Sequence, residues 1–351
     1  MIRSQPDFNR FLKVVRREGE PDRVPFSELF HDEEIMVAIQ GPPPSDDLDA
    51  AVAWRIKFWR DLGYDYVSFS GDIGFPREGL HTGDTAGLSR GERDWVNESV
   101  GAITTWEEFE RYPWPVVTDA AFRTLEAAVL HLPEGMKIIP LIPGGPFENV
   151  TFLMGFETFS YALVEQPDLV AAVLAKIDEV LCKLVETTVS MDCVGAQWLN
   201  DDLGFKGGPM ASPAVLRKYI FPIQKKLCQI AHRAGRPSLL HSCGKLDVIM
   251  DDLIDDVGID AKHSYEDVIM PVWEAKKKWG KRMALLGGVD MDVLARGSEE
   301  QVRAYTRRCI EECAPGGGWA LGTGNTVANY LPMKNFLAML DEGWKRGRYT
   351  S

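Results

Sequence analysis

Short apolar runs alternate with longer amphipathic segments along almost the whole chain. Each run is five to seven residues long, which suits a buried strand, and each is followed by a stretch long enough for a helix. This alternation is typical of a parallel sheet covered by helices. Eight such runs occur, at 24–30, 65–70, 137–142, 195–200, 237–241, 258–262, 282–287 and 317–322. The pattern therefore predicts an α/β fold, a (β/α)8 TIM barrel.

The amphipathic segments show helical spacing and recognisable ends. Apolar residues recur every three or four positions over 167–190, and this predicts one long helix. Ser212 followed by Pro213 is a helix-start signal, and the helix that it begins should run to about Arg233. The last two helices are expected to start near Ser298 and Pro332.

The segment 71–115 interrupts the alternation with glycine, proline and tryptophan. A connection of that length in a barrel is usually an insertion, so we expect a lid over the substrate after the second strand. No internal repeat, low-complexity tract or linker divides the chain. We therefore expect a single domain over 1–351.

Charge and apolar content exclude several classes of protein. The chain has 39 Lys and Arg against 52 Asp and Glu, and the net charge of −13 disfavours binding to nucleic acid or to anionic membranes. No apolar run approaches the roughly 20 residues that cross a bilayer. The N-terminus lacks the features of a signal peptide, so a cytoplasmic protein is expected, as a monomer or homodimer. Its six cysteines show no regular framework, and we expect no structural disulfide.

Polar side chains gather where the predicted strands end. In (β/α)8 barrels the catalytic groups lie on the loops that follow the strands, so these residues should surround one mouth. The candidates are His31, Asp72, Glu148, Asp202, His241, Cys243, His263, Glu266, Thr323 and Asn325.

The sharpest of these signals is His241-Ser242-Cys243, after the fifth run. An imidazole and a thiol two residues apart can face one cavity and would form half of a zinc site, since catalytic zinc takes three protein ligands and keeps one position open. A hydrogen-bonded histidine beside a buried cysteine would give the same pattern. The residues alone leave both interpretations open.

From about Asp22 to its end, the sequence resembles the uroporphyrinogen decarboxylase superfamily, which also contains the cobalamin-dependent methyltransferases. The similarity implies the barrel fold that the pattern predicts. It is carried by the segments 21–25, 69–73, 241–244, 258–260 and 286–290, and by the glycine-rich eighth run followed by Pro332 and Asn335.

Two departures argue against porphyrinogen decarboxylation. The decarboxylases have an Arg-Gln-Ala-Gly-Arg-Tyr segment after the first strand, where this chain has the acidic segment 28–33. Acids in place of arginines would repel a substrate that carries many carboxylates. The decarboxylases also have a histidine after the eighth strand, where this chain has Thr323.

This chain resembles the methyltransferase branch at the residues that bind zinc in that branch. The His-x-Cys segment of the branch binds zinc, and His241 and Cys243 match it. The enzymes that methylate thiol cofactors have a further cysteine after the eighth strand, where this chain reads Gly-Thr-Gly-Asn over 322–325. The resemblance therefore leaves the third ligand open, and an oxygen donor could replace it. The candidates are Glu148, Asp202, Glu266 and Asn325.

The resemblance implies a zinc-dependent methyltransferase that works with cobalt. No corrinoid-binding signature occurs in the chain, so the corrinoid (cobalamin) would have to be carried by a separate protein. The missing cysteine favours an oxygen-containing methyl donor, such as a methoxylated aromatic compound that undergoes O-demethylation. Two alternatives remain: a lyase that decarboxylates a small carboxylic acid, and a non-catalytic ligand-binding barrel.

The remaining strand-end residues receive provisional roles. His31 and His263 are candidates for general acids, although a structural hydrogen bond explains either histidine equally well. Asp72 matches a family aspartate once the extra Gly71 is allowed for, and Glu266 is a catalytic candidate that could also be a solvated loop acid. The expected substrate contacts are Glu148, Asp202, Thr323 and Asn325.

Overall fold

The centre of the fold is a curled parallel sheet of seven strands, in the order β1-β4-β5-β8-β9-β10-β11. The computed structural model describes residues 5–45, 47–77, 79–96 and 101–349. Two short antiparallel hairpins, β2-β3 and β6-β7, lie outside this sheet. The strands are β1 (Tyr66–Ser70), β2 (Gly79–Gly83), β3 (Glu92–Val96), β4 (Lys137–Leu141), β5 (Gln197–Asn200), β6 (Gly204–Phe205), β7 (Gly208–Pro209), β8 (Ser238–His241), β9 (Ala261–His263), β10 (Ala284–Leu286) and β11 (Trp319–Ala320).

Helices follow the strands and cover the sheet with apolar faces. The longest, α8, has the limits predicted from its spacing, and its buried residues recur at three- and four-residue intervals. The helices are α1 (Phe8–Val15), α2 (Glu33–Gln40), α3 (Leu48–Leu62), α4 (Trp106–Arg111), α5 (Arg123–His131), α6 (Pro146–Met154), α7 (Phe156–Glu165), α8 (Pro167–Ser190), α9 (Pro213–Val215), α10 (Phe221–Arg233), α11 (Val272–Trp279), α12 (Met291–Arg296), α13 (Glu299–Cys313) and α14 (Met333–Arg346).

The helix predicted over 213–233 contains an irregular turn. Ser212 caps its start, and a wider π-helical turn over Leu216–Ile220 separates α9 from α10. Pro222, in the first turn of α10, has no backbone N–H to donate, and this weakens the regular ladder at that point. The other two predicted starts are confirmed: Ser298 caps α13 and Pro332 precedes α14.

Seven of the eight predicted runs overlap a strand of the central sheet. The run at 258–262 is displaced, because Gly258 adopts a left-handed backbone (φ +83°) after a π-helical turn over Asp252–Val257. The strand therefore starts at Ala261, and His263 is its last residue rather than part of the following loop.

The first predicted run, 24–30, differs from the other seven because it contributes no strand to the sheet. It lies beside β11 through one parallel bridge between Phe26 and Leu321. On its other side the hydroxyl of Tyr66, in β1, accepts a hydrogen bond from the Glu28 N–H (2.9 Å) and donates one to the Glu28 carbonyl (2.6 Å). A side chain thus satisfies backbone groups that a ladder would otherwise pair.

Because all seven strands are parallel, their carboxyl ends meet at one edge of the sheet. Asn200 at the end of β5 is the register partner of His241, which is in turn the partner of His263. Asp72 and His241 both belong to this edge, since they lie at or just beyond the ends of β1 and β8. The edge is referred to below as the mouth.

The segment 71–115 contains the β2-β3 hairpin and α4. Its hairpin loop is tied to the mouth, because Asn329 donates hydrogen bonds to the Asp84 carboxylate (2.7 Å) and to the Leu88 carbonyl (3.0 Å). Arg90 pairs with Asp32 and Glu34 at 3.0 Å each. Within the described ranges no helix is both long and apolar enough to cross a bilayer, and all six cysteines are free thiols.

Candidate metal centre

The loop after β8 presents His241 and Cys243 at the mouth. The Ser242 hydroxyl accepts a hydrogen bond from the Leu203 N–H (3.0 Å), which fixes the loop against the segment after β5. Gly244 adopts φ +88°, and a Cβ atom there would lie 2.2 Å from the backbone of Gly204. The loop therefore requires glycine at this position.

Three side chains converge on one point in front of this loop. The ligand atoms of Asp202, His241 and Cys243 all lie within 4.8 Å of one another. His241 Nε2 is 3.7 Å from both Cys243 Sγ and an Asp202 carboxylate oxygen. The same carboxylate oxygen accepts a hydrogen bond from the Cys243 N–H at 2.7 Å. One nitrogen, one sulfur and one oxygen donor in this arrangement fit a zinc ion with a fourth position open.

Burial sets the charge of two members of this triad. It lowers the pKa of His241 to about 4, against the opposing effect of Asp202, so the ring is neutral at pH 7 and can offer a lone pair. Burial also raises the pKa of Cys243 to about 12, and the Asp202 charge adds to that rise. A divalent cation would have to displace the thiol proton of Cys243.

The sulfur of Cys243 receives two hydrogen bonds from loops across the mouth. The Asn325 amide donates at 3.3 Å and the Ser264 hydroxyl at 3.6 Å. Asn325 follows β11 and is one of the four candidates for a third ligand with an oxygen donor. In the structure its amide nitrogen contacts the thiol of Cys243.

Lys262 lies buried behind the triad. Its ammonium donates to the carbonyls of Ser242 (3.1 Å), His263 (3.3 Å) and Ser264 (2.8 Å), and it thereby joins the loops after β8 and β9. Burial lowers its pKa to about 8, and the neighbouring Cys243 opposes that shift. No pattern in the sequence around Lys262 indicates that it joins these two loops.

Two more carboxyl groups lie beside Asp202. Asp201 is fully buried and accepts hydrogen bonds from the N–H groups of Phe147 (3.2 Å) and Glu148 (2.9 Å), and from the Gln224 amide (2.7 Å). Burial raises the pKa of Glu148 well above its usual value, and the charges of Asp201 and Asp202 raise it further. The protonated form of Glu148 is therefore favoured relative to that of an exposed glutamate. The sequence places Asp201 next to Asp202 after the fourth run, where the two acids could be a ligand pair or a helix-start device; in the structure only Asp202 is one of the three converging ligands.

Thr323 contacts a buried acid on the first run. Its N–H and its hydroxyl donate to the two carboxyl oxygens of Glu28, at 2.7 and 2.6 Å. No cation is paired with Glu28 in the described structure, and burial raises its pKa to about 8. The expected substrate contact of Thr323 remains a prediction, since its described polar partner is a protein carboxyl group.

His31 lies away from the triad. Its ring packs among aromatic side chains, with centroids 4.5 Å from Trp59 and 5.0 Å from Phe58, and its Nε2 lies 3.2 Å from the Tyr64 hydroxyl. Burial lowers its pKa to about 3. These are the contacts of a core side chain, although His31 also lines a cavity that opens at the mouth. It is not one of the three residues whose ligand atoms converge.

Asp72 and Glu266 also lie outside the group of three. The Asp72 carboxylate is exposed and accepts hydrogen bonds from the N–H (2.9 Å) and hydroxyl (2.8 Å) of Thr124, in the first turn of α5. Glu266 is half-buried beyond β9, near Lys262. Their catalytic roles remain predictions. Within the described part of the chain, neither Glu148 nor Glu266 joins the three converging ligand atoms.

A cavity of about 860 Å³ opens at the mouth. Its wall includes Ser70, Leu141 and Asn200, from the ends of β1, β4 and β5, together with Arg55 and the hairpin residue Arg90. The acidic segment at 32–34 lines the other side. This space can hold a small organic molecule close to Asn200, the register partner of His241.

The curled parallel sheet defines the class of the fold, a barrel-type α/β protein. Its mouth carries a candidate metal-binding site. The chain belongs to the uroporphyrinogen decarboxylase (URO-D) family, whose sequence model matches residues 8–343. Members related to this chain include both methyltransferases and decarboxylases, which supports an enzyme.

Among curated relatives, a methylcobamide:CoM methyltransferase MtaA of Methanosarcina barkeri is 26% identical over 207 residues, 58% of this chain. The match spans 57% of that relative's length. A uroporphyrinogen decarboxylase of Thioalkalivibrio sulfidiphilus is 33% identical over 81 residues, 23% of either chain. Among solved structures, a methyltransferase from Methanosarcina mazei covers 97% of this chain and 99% of its own, with a TM-score of 0.71 and 15% identity. That likeness supports the fold.

Proposed function

We propose that this chain is a zinc-dependent methyltransferase that moves a methyl group from a small methoxylated aromatic compound to the cobalt of a separate corrinoid protein. The observation that carries the proposal is the convergence of Asp202, His241 and Cys243 at the mouth. The similarity to a methylcobamide:CoM methyltransferase supports the reaction class.

Asp202, His241 and Cys243 would hold the metal. When bound there, zinc supplies Lewis acidity to the oxygen from which the methyl group leaves. The cavity wall would bind the aromatic ring. Glu148, whose carboxyl pKa is raised by burial and by the charges of Asp201 and Asp202, would provide a proton for the departing oxygen. The carbon–oxygen bond breaks with its electron pair on oxygen, and the methyl carbon forms its new bond to cobalt(I).

The surroundings of Cys243 favour a substrate in which the methyl group is bound to oxygen over a thiol substrate. Asn325 and Ser264 both donate hydrogen bonds to its sulfur, which withdraws electron density from the thiolate. One such thiolate beside a carboxylate makes a harder site than two thiolates. A harder, more electrophilic site suits an ether oxygen.

The acids at 32–34 argue against a tetrapyrrole substrate. Asp32, Glu33 and Glu34 line the cavity, and of its two arginines Arg90 is already paired with Asp32 and Glu34. A substrate with many carboxylates would meet like charges there.

The test uses purified chain loaded with zinc, cobalt(I) corrinoid on a carrier protein or as free cobalamin, and a panel of methoxylated aromatics and methylamines. We expect methylcobalamin and a phenol to form at equal rates from a methoxylated aromatic, and only when corrinoid is added. The Cys243→Ser variant is the control for the metal centre. Release of carbon dioxide from a carboxylic acid without corrinoid would overturn the proposal in favour of a decarboxylase.

A further inference from the structure

Two buried histidines on neighbouring strands of the curled sheet contact each other through ring nitrogens. His241 and His263 are register partners on β8 and β9, and their Nδ1 atoms lie 2.8 Å apart. Both residues are buried, at 6% and 0% exposure. A histidine that binds a metal usually donates its other ring N–H to a carboxylate, a carbonyl or water; here the partner is a second imidazole.

A hydrogen bond between two Nδ1 atoms needs one donor and one acceptor. The accepting Nδ1 carries a lone pair, and with one proton on each ring two arrangements are possible. If His241 donates, its Nε2 has a free lone pair. If His263 donates, the Nε2 of His241 carries the proton and cannot bind a metal.

The position of His241 Nε2 decides between the two arrangements at the proposed metal site. This nitrogen lies 3.7 Å from both Cys243 Sγ and an Asp202 carboxylate oxygen, so it is the ring atom that would bind the metal. A ligand nitrogen needs a free lone pair, which places the proton of His241 on Nδ1 and makes Nδ1 of His263 the acceptor.

We propose that His263 is a positioning residue for the metal centre: its Nδ1 accepts the Nδ1–H of His241, and this leaves His241 Nε2 as the ligand atom facing Asp202 and Cys243. The inference rests on the proposed metal site and goes beyond it, since it assigns the tautomer of two rings. It also replaces the general-acid role expected of His263.

The position of His263 is fixed from several sides. Its ring packs edge to face on Trp198, with centroids 5.7 Å apart, and its carbonyl is held by the Lys262 ammonium. A ring held in this way presents Nδ1 to His241 in one orientation. The metal ligand is thereby oriented before any metal arrives.

The tautomers can be read directly by ¹⁵N NMR of the full-length protein labelled at histidine. We expect His263 to be protonated at Nε2 and His241 at Nδ1 without metal, and zinc to perturb Nε2 of His241 alone. Spectra of His263→Gln and His241→Gln assign the signals. A proton on Nδ1 of His263 would overturn the inference, whether or not the protein binds zinc.

Zinc affinity, measured by competition with a chromophoric chelator, gives the second readout. Loss of a partner of this kind costs 10- to 100-fold in affinity, so we expect His263→Phe to weaken zinc binding by about that factor. His263→Gln, whose amide oxygen can accept the same hydrogen bond, should recover part of the loss. His232→Phe is the matched control, because His232 lies on α10 and pairs with Asp260 away from the mouth.

The two proposals fail in different ways. A wild-type protein that binds no zinc overturns the metal centre, while the NMR spectrum still decides the tautomers. A wild-type protein that binds zinc, together with unchanged affinity in His263→Phe, overturns the positioning role alone. If His263→Phe does not fold, His263→Gln and the wild-type spectra remain decisive.

Discussion

The hydroxyl of Tyr66 serves both backbone groups of Glu28, accepting from its N–H at 2.9 Å and donating to its carbonyl at 2.6 Å. This contact joins β1 to the first run, where no strand ladder forms between them. The curled sheet is therefore held together at this point by a side chain.

Removing that hydroxyl should destabilise the protein. We expect Tyr66→Phe to lower the free energy of unfolding by about 2–3 kcal/mol, because two buried backbone groups lose their partner. Chemical denaturation measures the change. Tyr64→Phe is the control, since its hydroxyl has a single described contact, with His31, and its loss should cost about 1 kcal/mol. Equal effects of the two substitutions would contradict the linking role of Tyr66.

Cys243→Ser tests the thiolate ligand. A neutral hydroxyl is a much weaker zinc ligand than a thiolate. Zinc affinity should therefore fall by more than the roughly 100-fold that is the upper range for losing a residue that only hydrogen-bonds to a ligand. Metal content after dialysis and chelator competition both measure it. Cys193→Ser, at a half-buried cysteine outside the site, should leave zinc binding unchanged. Full zinc occupancy in Cys243→Ser would remove this residue from the site.

Zinc binding should release about one proton at pH 7. His241, with a pKa near 4, is already neutral there, whereas Cys243, with a pKa near 12, still carries its proton. Affinity should therefore rise about tenfold per pH unit between roughly pH 6 and pH 9. Calorimetry in buffers of different ionisation enthalpy counts the protons. No release, or release of two protons, would contradict this assignment of protonation states.

Glu28 should make stability depend on pH. Its folded pKa of about 8 lies above the ordinary 4.5, so its contribution is fully present below pH 4.5 and is lost as pH rises towards 8. The total change is at most about 5 kcal/mol. Glu28→Gln removes the titration, and its free energy of unfolding should vary less than that of the wild type over this window. Parallel pH profiles of the two proteins would show that Glu28 is ionised in the folded state.

Asn325→Cys should convert the site towards the thiol-methylating pattern. Asn325 already lies 3.3 Å from Cys243 Sγ, so a thiol at this position is close to the metal ligands. We expect tighter zinc binding and slower demethylation of ethers, because a second thiolate lowers the electrophilicity of the metal. Asn325→Ala, which removes the amide without adding a ligand, is the control. Zinc binding in Asn325→Cys no tighter than in Asn325→Ala would show that position 325 does not reach the metal.

Sequence reasoning succeeded where a local pattern determines the outcome. The His-x-Cys spacing after a strand fixes where His241 and Cys243 point, and parallel strands bring Asp202 and Asn325 to the same edge. Lys262 and Asp201 depend on carbonyl and amide groups from other elements, and no local spacing encodes such partners. The position of His31 depends on α3, whose Phe58 and Trp59 pack against its ring. No spacing within the first run encodes that contact.

Asn329 joins three distant parts of the chain. Its N–H donates to Asp32 and its amide donates to Asp84, across 297 and 245 residues of sequence. During synthesis, residues 32 and 84 leave the ribosome long before residue 329. The Arg90 contacts to Asp32 and Glu34 can form early, whereas the contacts of the hairpin loop to Asn329 can form only after the last strand has been made. The nascent hairpin is therefore held from one side before it is held from both.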